Sequence, residues 1–124
     1  GDLDSSGVLR PTVIADATAD MNVCANEVFG PVVAIQTFED FEDALTRAND
    51  TRYGLQAGVF TADIARGLLA ARRLDFGGVL INEVPTWRAD QQPYGGLRDS
   101  GNTREGPAYS IREMTEERLI ILNG

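Results

Sequence analysis

The sequence predicts an α/β fold, a parallel strand–helix–strand–helix–strand layer. Two observations predict it. Short β-branched and apolar runs, Val32-Val33-Ala34-Ile35, residues 57–60 and Val79-Leu80-Ile81, alternate with two segments of helical period, and the connections between them are only a few residues long. Alternation on this length scale is met by right-handed parallel crossovers with helices laid against a sheet.

Taken in order, residues 8–15 (VLRPTVIA) are rich in β-formers, but Pro11 removes a ladder donor, so an edge or irregular strand is expected. Residues 16–22 are polar and short, and 23–29 are expected to be extended. Gly30-Pro31 punctuates the chain before residues 32–35, whose apolar character on both faces suits a strand covered on both sides. Asp40 can cap a helix whose Phe41, Ala44, Leu45 and Ala48 form one face. After the polar Asn49-Asp50-Thr51-Arg52 comes a strand over 57–60. Thr61 then offers a cap, with Asp63 where the helix dipole favours an anion. Ile64, Gly67, Leu68 and Ala71 make the next stripe, Arg72 and Arg73 suit the last turn, and Gly77-Gly78 stops the helix before the third strand.

From Glu83 to Thr103 the period disappears, and Pro85, Pro93, Gly95, Gly96 and Gly101 accompany Trp87, Arg88 and Tyr94. A stretch of about twenty residues without period is uncommon in a domain unless it is functional or disordered, and its aromatic residues favour function. A short helix is expected over 104–113, and 116–122, with Leu119-Ile120-Ile121-Leu122 at its centre, reads as a strand.

Composition narrows the function. A chain of 124 residues supports one core rather than two, and 43 % apolar with 24 % charged residues is ordinary for a globular protein. A net charge of −8 argues against a nucleic-acid partner, which would demand clustered Lys and Arg. One cysteine, Cys24, leaves no intrachain disulfide and fits a reducing, cytoplasmic setting. No apolar window is long enough for a membrane helix, and no segment resembles a signal peptide. The chain opens on a loop-like Gly1-Asp2-Leu3-Asp4-Ser5-Ser6-Gly7 without Met, which suggests a piece of a longer protein.

Six motifs in one order carry a resemblance. They are Asn26-Glu27-Val28-Phe29-Gly30-Pro31, Ala48-Asn49-Asp50-Thr51-Arg52-Tyr53-Gly54-Leu55, Gly58-Val59-Phe60-Thr61, Gly78-Val79-Leu80-Ile81-Asn82, Pro93-Tyr94-Gly95-Gly96, and Ser100-Gly101 through Arg104-Glu105-Gly106. From about Arg10 to its end the chain resembles the aldehyde dehydrogenase superfamily. The resemblance implies that residues 1–115 are the C-terminal part of the catalytic domain and 116–124 the final oligomerisation strand. It implies NAD or NADP as cofactor, a small aldehyde as substrate, an upstream cofactor domain of the same chain and a homo-oligomer as partners. The reaction it implies is oxidation of the aldehyde to a carboxylate through a cysteine thiohemiacetal. The family's nucleophile motif, general-base Glu and Gly-containing cofactor loop have no match here, so the chain alone is expected to be inactive. Residues 85–90 (PTWRAD) resemble the branch acting on lactaldehyde-like and other small polar or anionic aldehydes.

The site residues follow from both readings. In an extended segment Glu27 and Phe29 leave the same face, where a carboxylate can accept both hydroxyls of a ribose and a ring can support a nicotinamide. Residue types alone favour a solvated Glu and a core Phe; the resemblance makes Glu27 a ribose ligand and Phe29 the flank of the ring. Trp87 and Tyr94 by default cover a core edge, and by resemblance line the aldehyde tunnel with Arg88 steering an anionic tail. Glu105 is either half of a surface ion pair with Arg104 or, by resemblance, a proton relay near the general base. Thr103 replaces the second Gly of the family's Ser-Gly-x-Gly-Arg-Glu, which puts weight on the backbone angle there. Asn82, ending a parallel strand, is a ligand-facing or an ordinary turn residue. Cys24 has no base or cation in its local sequence and is read as structural. The glycines of 95–101 lack the spacing of a phosphate loop, and no metal site is expected. A self-standing α/β module pairing through its last strand is the alternative, which a start codon near Gly1 would favour. A flavodoxin-like binding protein is a weaker one, separable by flavin absorbance.

Overall fold

A computed structural model describes all 124 residues, which divide into two units, Gly1–Arg47 and Ala48–Gly124. In the first unit β1 (Thr12–Ile14) and β2 (Val32–Ala34) pair in parallel, with Thr12, Val13 and Ile14 opposite Val32, Val33 and Ala34. Pro31 O accepts from Thr12 N and Ile14 O from Ile35 N, each at 2.8 Å, extending the ladder at both ends. The strand expected over 32–35 is present, but not covered on both faces. Val13 and Val33 lie on the open side, 65 % and 52 % exposed, while their sequence neighbours are half-buried.

The extended segment expected over 23–29 begins instead as a one-turn helix, α1 (Asn22–Ala25). The backbone returns to the β region at Asn26 (φ −124°, ψ 156°), and Gly30 N donates to Val28 O at 3.1 Å, bending the chain at Phe29. Helix α2 (Phe41–Asn49) begins as expected: Asp40 Oδ2 accepts from Asp43 N at 2.8 Å. Leu45 is its buried residue, 4 % exposed, flanked by half-buried Phe41 and Ala44, whereas Ala48 of the expected stripe is exposed.

In the second unit β3 (Gln56–Val59) and β4 (Gly78–Ile81) pair in parallel from Gln56 opposite Gly78 to Val59 opposite Ile81. Between them runs α3 (Ile64–Arg73), packed on β4. Its cap is Asp63 rather than Thr61. The Asp63 carboxylate accepts from Ala65 N at 2.9 Å and Arg66 N at 3.3 Å, and Thr61 Oγ1 in turn receives Asp63 N. The buried face of α3 is also rotated from the expected stripe. Gly67 and Ala70 face inward with Leu74 at the C-cap, while Ile64 and Leu68 are 70 % and 48 % exposed. The reason is the closeness of helix and sheet: a Cβ at Gly67 would stand 3.2 Å from Ile81 Cγ2. The helix ends at Arg73, before the expected Gly77-Gly78 stop.

A single 3-10 turn (Arg98–Ser100) and α4 (Pro107–Glu113) follow, the latter shorter than the 104–113 expected. Residues 116–122 form no strand, and Leu119, Ile120, Ile121 and Leu122 are 84, 71, 72 and 90 % exposed. A strand needs a ladder, and this chain offers that segment no partner. The chain exposes 9711 Å² in all, whereas a folded monomer of 13.4 kDa exposes about 6,500 Å².

Candidate functional site

The aperiodic loop after β4 has a frame of backbone contacts. It leaves the sheet at Asn82, whose φ of 58° turns the chain. Asn82 Oδ1 accepts from Thr61 N at 2.8 Å, tying the ends of β3 and β4 together in the manner of a turn residue. The loop returns against Gly77, where a Cβ would overlap Gly95 O and lie 2.8 Å from Gly95 C. The glycines at 77 and 95 thus serve close backbone approach. Beyond them, Tyr94 and Glu105 form an antiparallel bridge, with Tyr94 N to Glu105 O at 3.1 Å and Glu105 N to Tyr94 O at 2.6 Å.

That bridge brings together residues far apart in sequence. The Arg88 guanidinium lies over the Tyr94 ring, 4.7 Å from its centroid, and its Nη2 is 3.5 Å from Glu105 Oε2. The Arg104–Glu105 ion pair, one of the two readings of Glu105, is not formed. Arg104 Nη1 donates instead to Gly96 O and Thr103 O, both at 2.9 Å, because the bridge turns Glu105 toward Arg88. Thr103 is compatible with this geometry: the non-glycine residues with positive φ are Asp16, Asn82 and Arg98, so no glycine-like backbone is imposed on Thr103. The Arg88 and Glu105 side chains are 48 % and 62 % exposed, and an ion pair so exposed contributes below about 1 kcal/mol.

Trp87, beside Arg88, is 43 % exposed and walls two adjoining grooves. One, of about 350 Å³, is completed by Leu80, Ile81 and Glu83; the other, of about 300 Å³, lies over Gln56, Gly78, Gln92 and Pro93. Glu83, Gln92 and Gln56 were not singled out in the sequence. Gln56 Oε1 is buried without a hydrogen-bond partner. Only its place opposite Gly78, whose missing side chain leaves room for the carboxamide, hints at this.

A second staple holds the same loop from below. Arg98, at φ 55°, donates to Asn49 O at 2.9 Å and Asp75 O at 2.8 Å. The Asp99 carboxylate, hydrogen-bonded to Arg52, raises the Arg52 pKa above its usual value.

In the first unit, the bend at Phe29 leaves its ring 93 % exposed, and Glu27 is exposed two residues earlier on the same loop. An exposed aromatic ring and a carboxylate thus stand two residues apart on one loop. Cys24 is half-buried on α1, where Gln36 Nε2 donates to its Sγ at 3.5 Å.

The model of the aldehyde dehydrogenase family matches residues 1–120. The chain belongs to the aldehyde dehydrogenase family. It is 48 % identical over 113 residues to a 3-sulfolactaldehyde dehydrogenase of Priestia aryabhattai, covering 91 % of this chain and 24 % of that protein. It is 47 % identical over 119 residues to a lactaldehyde dehydrogenase of Methanococcus aeolicus, covering 95 % and 25 %. Among solved structures it is similar to aldehyde dehydrogenase 21 from Physcomitrella patens in complex with the reaction product succinate. That likeness has a TM-score of 0.87 and 42 % identity, and covers 91 % of this chain and 24 % of the other. An indole-3-acetaldehyde dehydrogenase of P. syringae in complex with NAD+ gives a TM-score of 0.81 at 37 % identity, with 86 % and 21 % covered. The chain therefore spans about a quarter of the length of the aldehyde dehydrogenases it matches. No helix is long and apolar enough to cross a membrane.

Proposed function

We propose that this chain is the C-terminal part of the catalytic domain of an NAD(P)-dependent aldehyde dehydrogenase, with 116–124 as its oligomerisation strand, and that it is inactive alone. The observation that carries this reading is the convergence of Arg88, Tyr94 and Glu105 on the loop whose Trp87 walls two grooves, in a chain of the aldehyde dehydrogenase family. The exposed apolar faces at Val13 and Val33, at Ile64 and Leu68 and along the tail are what a piece of a larger protein leaves uncovered.

In the whole enzyme, NAD or NADP would accept hydride from the substrate. This chain's own residues would then hold and exclude rather than react. Glu27 would accept hydrogen bonds from the ribose hydroxyls, and Phe29 would flank the nicotinamide. Trp87 and Tyr94 would wall the aldehyde passage, Arg88 would meet an anionic tail, and Glu105 would hold a proton at its carboxylate near the general base. Their contribution is positional. Relatives whose names specify sulfolactaldehyde and lactaldehyde support a small, polar or anionic aldehyde.

The test is NADH or NADPH formation with a panel of small aldehydes. The 124-residue chain should give none, and the complete natural gene product should turn over and lose affinity for anionic aldehydes in Arg88→Gln. Turnover by the chain itself that vanishes in Cys24→Ser would overturn the reading. NAD+ should bind the chain no more tightly than about 1 mM, near −4 kcal/mol, because only the nicotinamide-ribose end has contacts here. Calorimetry showing micromolar binding would contradict that.

A further inference from the structure

We propose that the Arg88 guanidinium is a shared cation, held by Glu105 when no anion is bound and surrendered to a small organic oxyanion, a carboxylate or sulfonate, that docks on it. The proposal rests on the substrate-side reading of Trp87 and Arg88 given above.

Three features carry it. The Arg88–Glu105 contact is 3.5 Å, outside the ~2.7–2.9 Å of a charge-assisted hydrogen bond, and roughly half of each side chain faces water. The pair is loose and can be entered. Next, the guanidinium is already placed, its Cζ over the Tyr94 ring at 4.7 Å from the centroid. A planar fork held there can meet a carboxylate or sulfonate with two parallel N–H donors. Finally, the Glu105 main chain is pinned to Tyr94 by two hydrogen bonds while its carboxylate has only the long contact to Arg88. The carboxylate can therefore swing away without unmaking the loop.

Glu105 is then an internal competitor for any anionic tail. Competition is reciprocal: the anion that takes Arg88 frees the Glu105 carboxylate to the same degree that Glu105 weakens the anion. A neutral aldehyde would leave Glu105 paired. The charge of the substrate would thus set whether the Glu105 carboxylate is available.

Trp87 is the only tryptophan and adjoins Arg88, so its emission reports occupancy directly. The 124-residue chain is titrated with methanesulfonate at constant ionic strength, with dimethyl sulfone as the neutral control. A saturable change with the sulfonate alone is expected, tightened two- to five-fold in Glu105→Gln, as loss of one exposed ion pair allows. It should be absent in Arg88→Gln and unaltered in Glu113→Gln, which removes the same charge elsewhere. Glu105→Ala and a circular-dichroism spectrum of each variant guard against misfolding. Equal or weaker binding in Glu105→Gln, a response surviving Arg88→Gln, an equal gain in Glu113→Gln or no response in any variant would each overturn the proposal. The titration needs no dehydrogenase activity, so its failure is separable from failure of the enzyme assay above.

Discussion

Replacing Gly77 by alanine tests the loop frame at its tightest point. A Cβ there would interpenetrate Gly95 O and stand 2.8 Å from Gly95 C and 3.1 Å from Gly96 Cα, all backbone atoms with no rotamer in which to escape. Relief requires the 95–96 segment to retreat by roughly an ångström, and overpacking of this kind costs about 1–3 kcal/mol. Gly95 follows Tyr94, so the same movement strains the two hydrogen bonds of the Tyr94–Glu105 bridge, each contributing about 1 kcal/mol. The total is about 3–5 kcal/mol. For a chain of this size that lowers the melting temperature by roughly 10–20 °C. Gly101→Ala is the matched control. Gly101 has a φ of 97° but nothing within 4 Å of its Cβ position, so only the backbone penalty of about 1–2 kcal/mol applies. Thermal unfolding followed at Trp87, with hydrogen exchange at the Glu105 amide, reads both effects. A Gly77→Ala chain that melts with the parent and keeps the Glu105 amide protected would refute the closure described.

Three other outcomes are expected. Asp63→Ala should destabilise α3 by about 1 kcal/mol in urea unfolding, since it removes the acceptor for two helix N–H groups; an unchanged midpoint would return the cap to Thr61. The Ser6 hydroxyl, and after it the Val8 amide, hold the Asp4 carboxyl below its usual 3.8. A depressed native pKa is a stabilisation present above the unfolded value and lost as pH falls through the native one. The Val8 amide resonance should therefore stay native through pH 3.8 and move only in stronger acid; movement centred above 3.8 would contradict the bond. Ending the chain at Glu116 should leave its melting temperature unchanged and reduce self-association in light scattering, because residues 119–122 are almost wholly exposed. A truncated chain that melts lower, with residues 119–122 of the full chain protected from exchange, would show that the tail has a partner within the chain.

Local pattern carried most of the fold. The runs at 32–35, 57–60 and 79–81 and the stripe of α2 are set by neighbouring residues, and each became the expected element with small shifts of boundary. What failed was set by distant ones. Of the stripe expected on α3 only Gly67 faces inward, because its clearance from Ile81 is too small for a side chain, and Ala70 joins it in place of the more apolar Ile64 and Leu68. Helix α1 was missed because one turn shows no period and Met21 supplies no side-chain cap. The last strand lacks the ladder that would make it one. In the site, Trp87, Arg88, Tyr94 and Glu105 were legible by type and motif. The pairing of Arg88 with Glu105 rather than Arg104 was not, since it depends on the register of the bridge at Tyr94.

The pinning of this loop by glycine contact, main-chain bridge and the Arg98 staple has an evolutionary consequence. Its fastenings lie at Asn82, at Gly58 against Glu83 and Pro85, at Gly106 against Gln92, and from Tyr94 onward, which leaves the short span between Pro85 and Gln92 as the replaceable part. Residues 86–91 can be exchanged, or lengthened by a residue or two, while the sheet keeps its register. If the proposed substrate-side role of Trp87 and Arg88 holds, selection retunes the admitted aldehyde here without renegotiating stability, and a graft of this span between relatives should transfer preference with little change in melting.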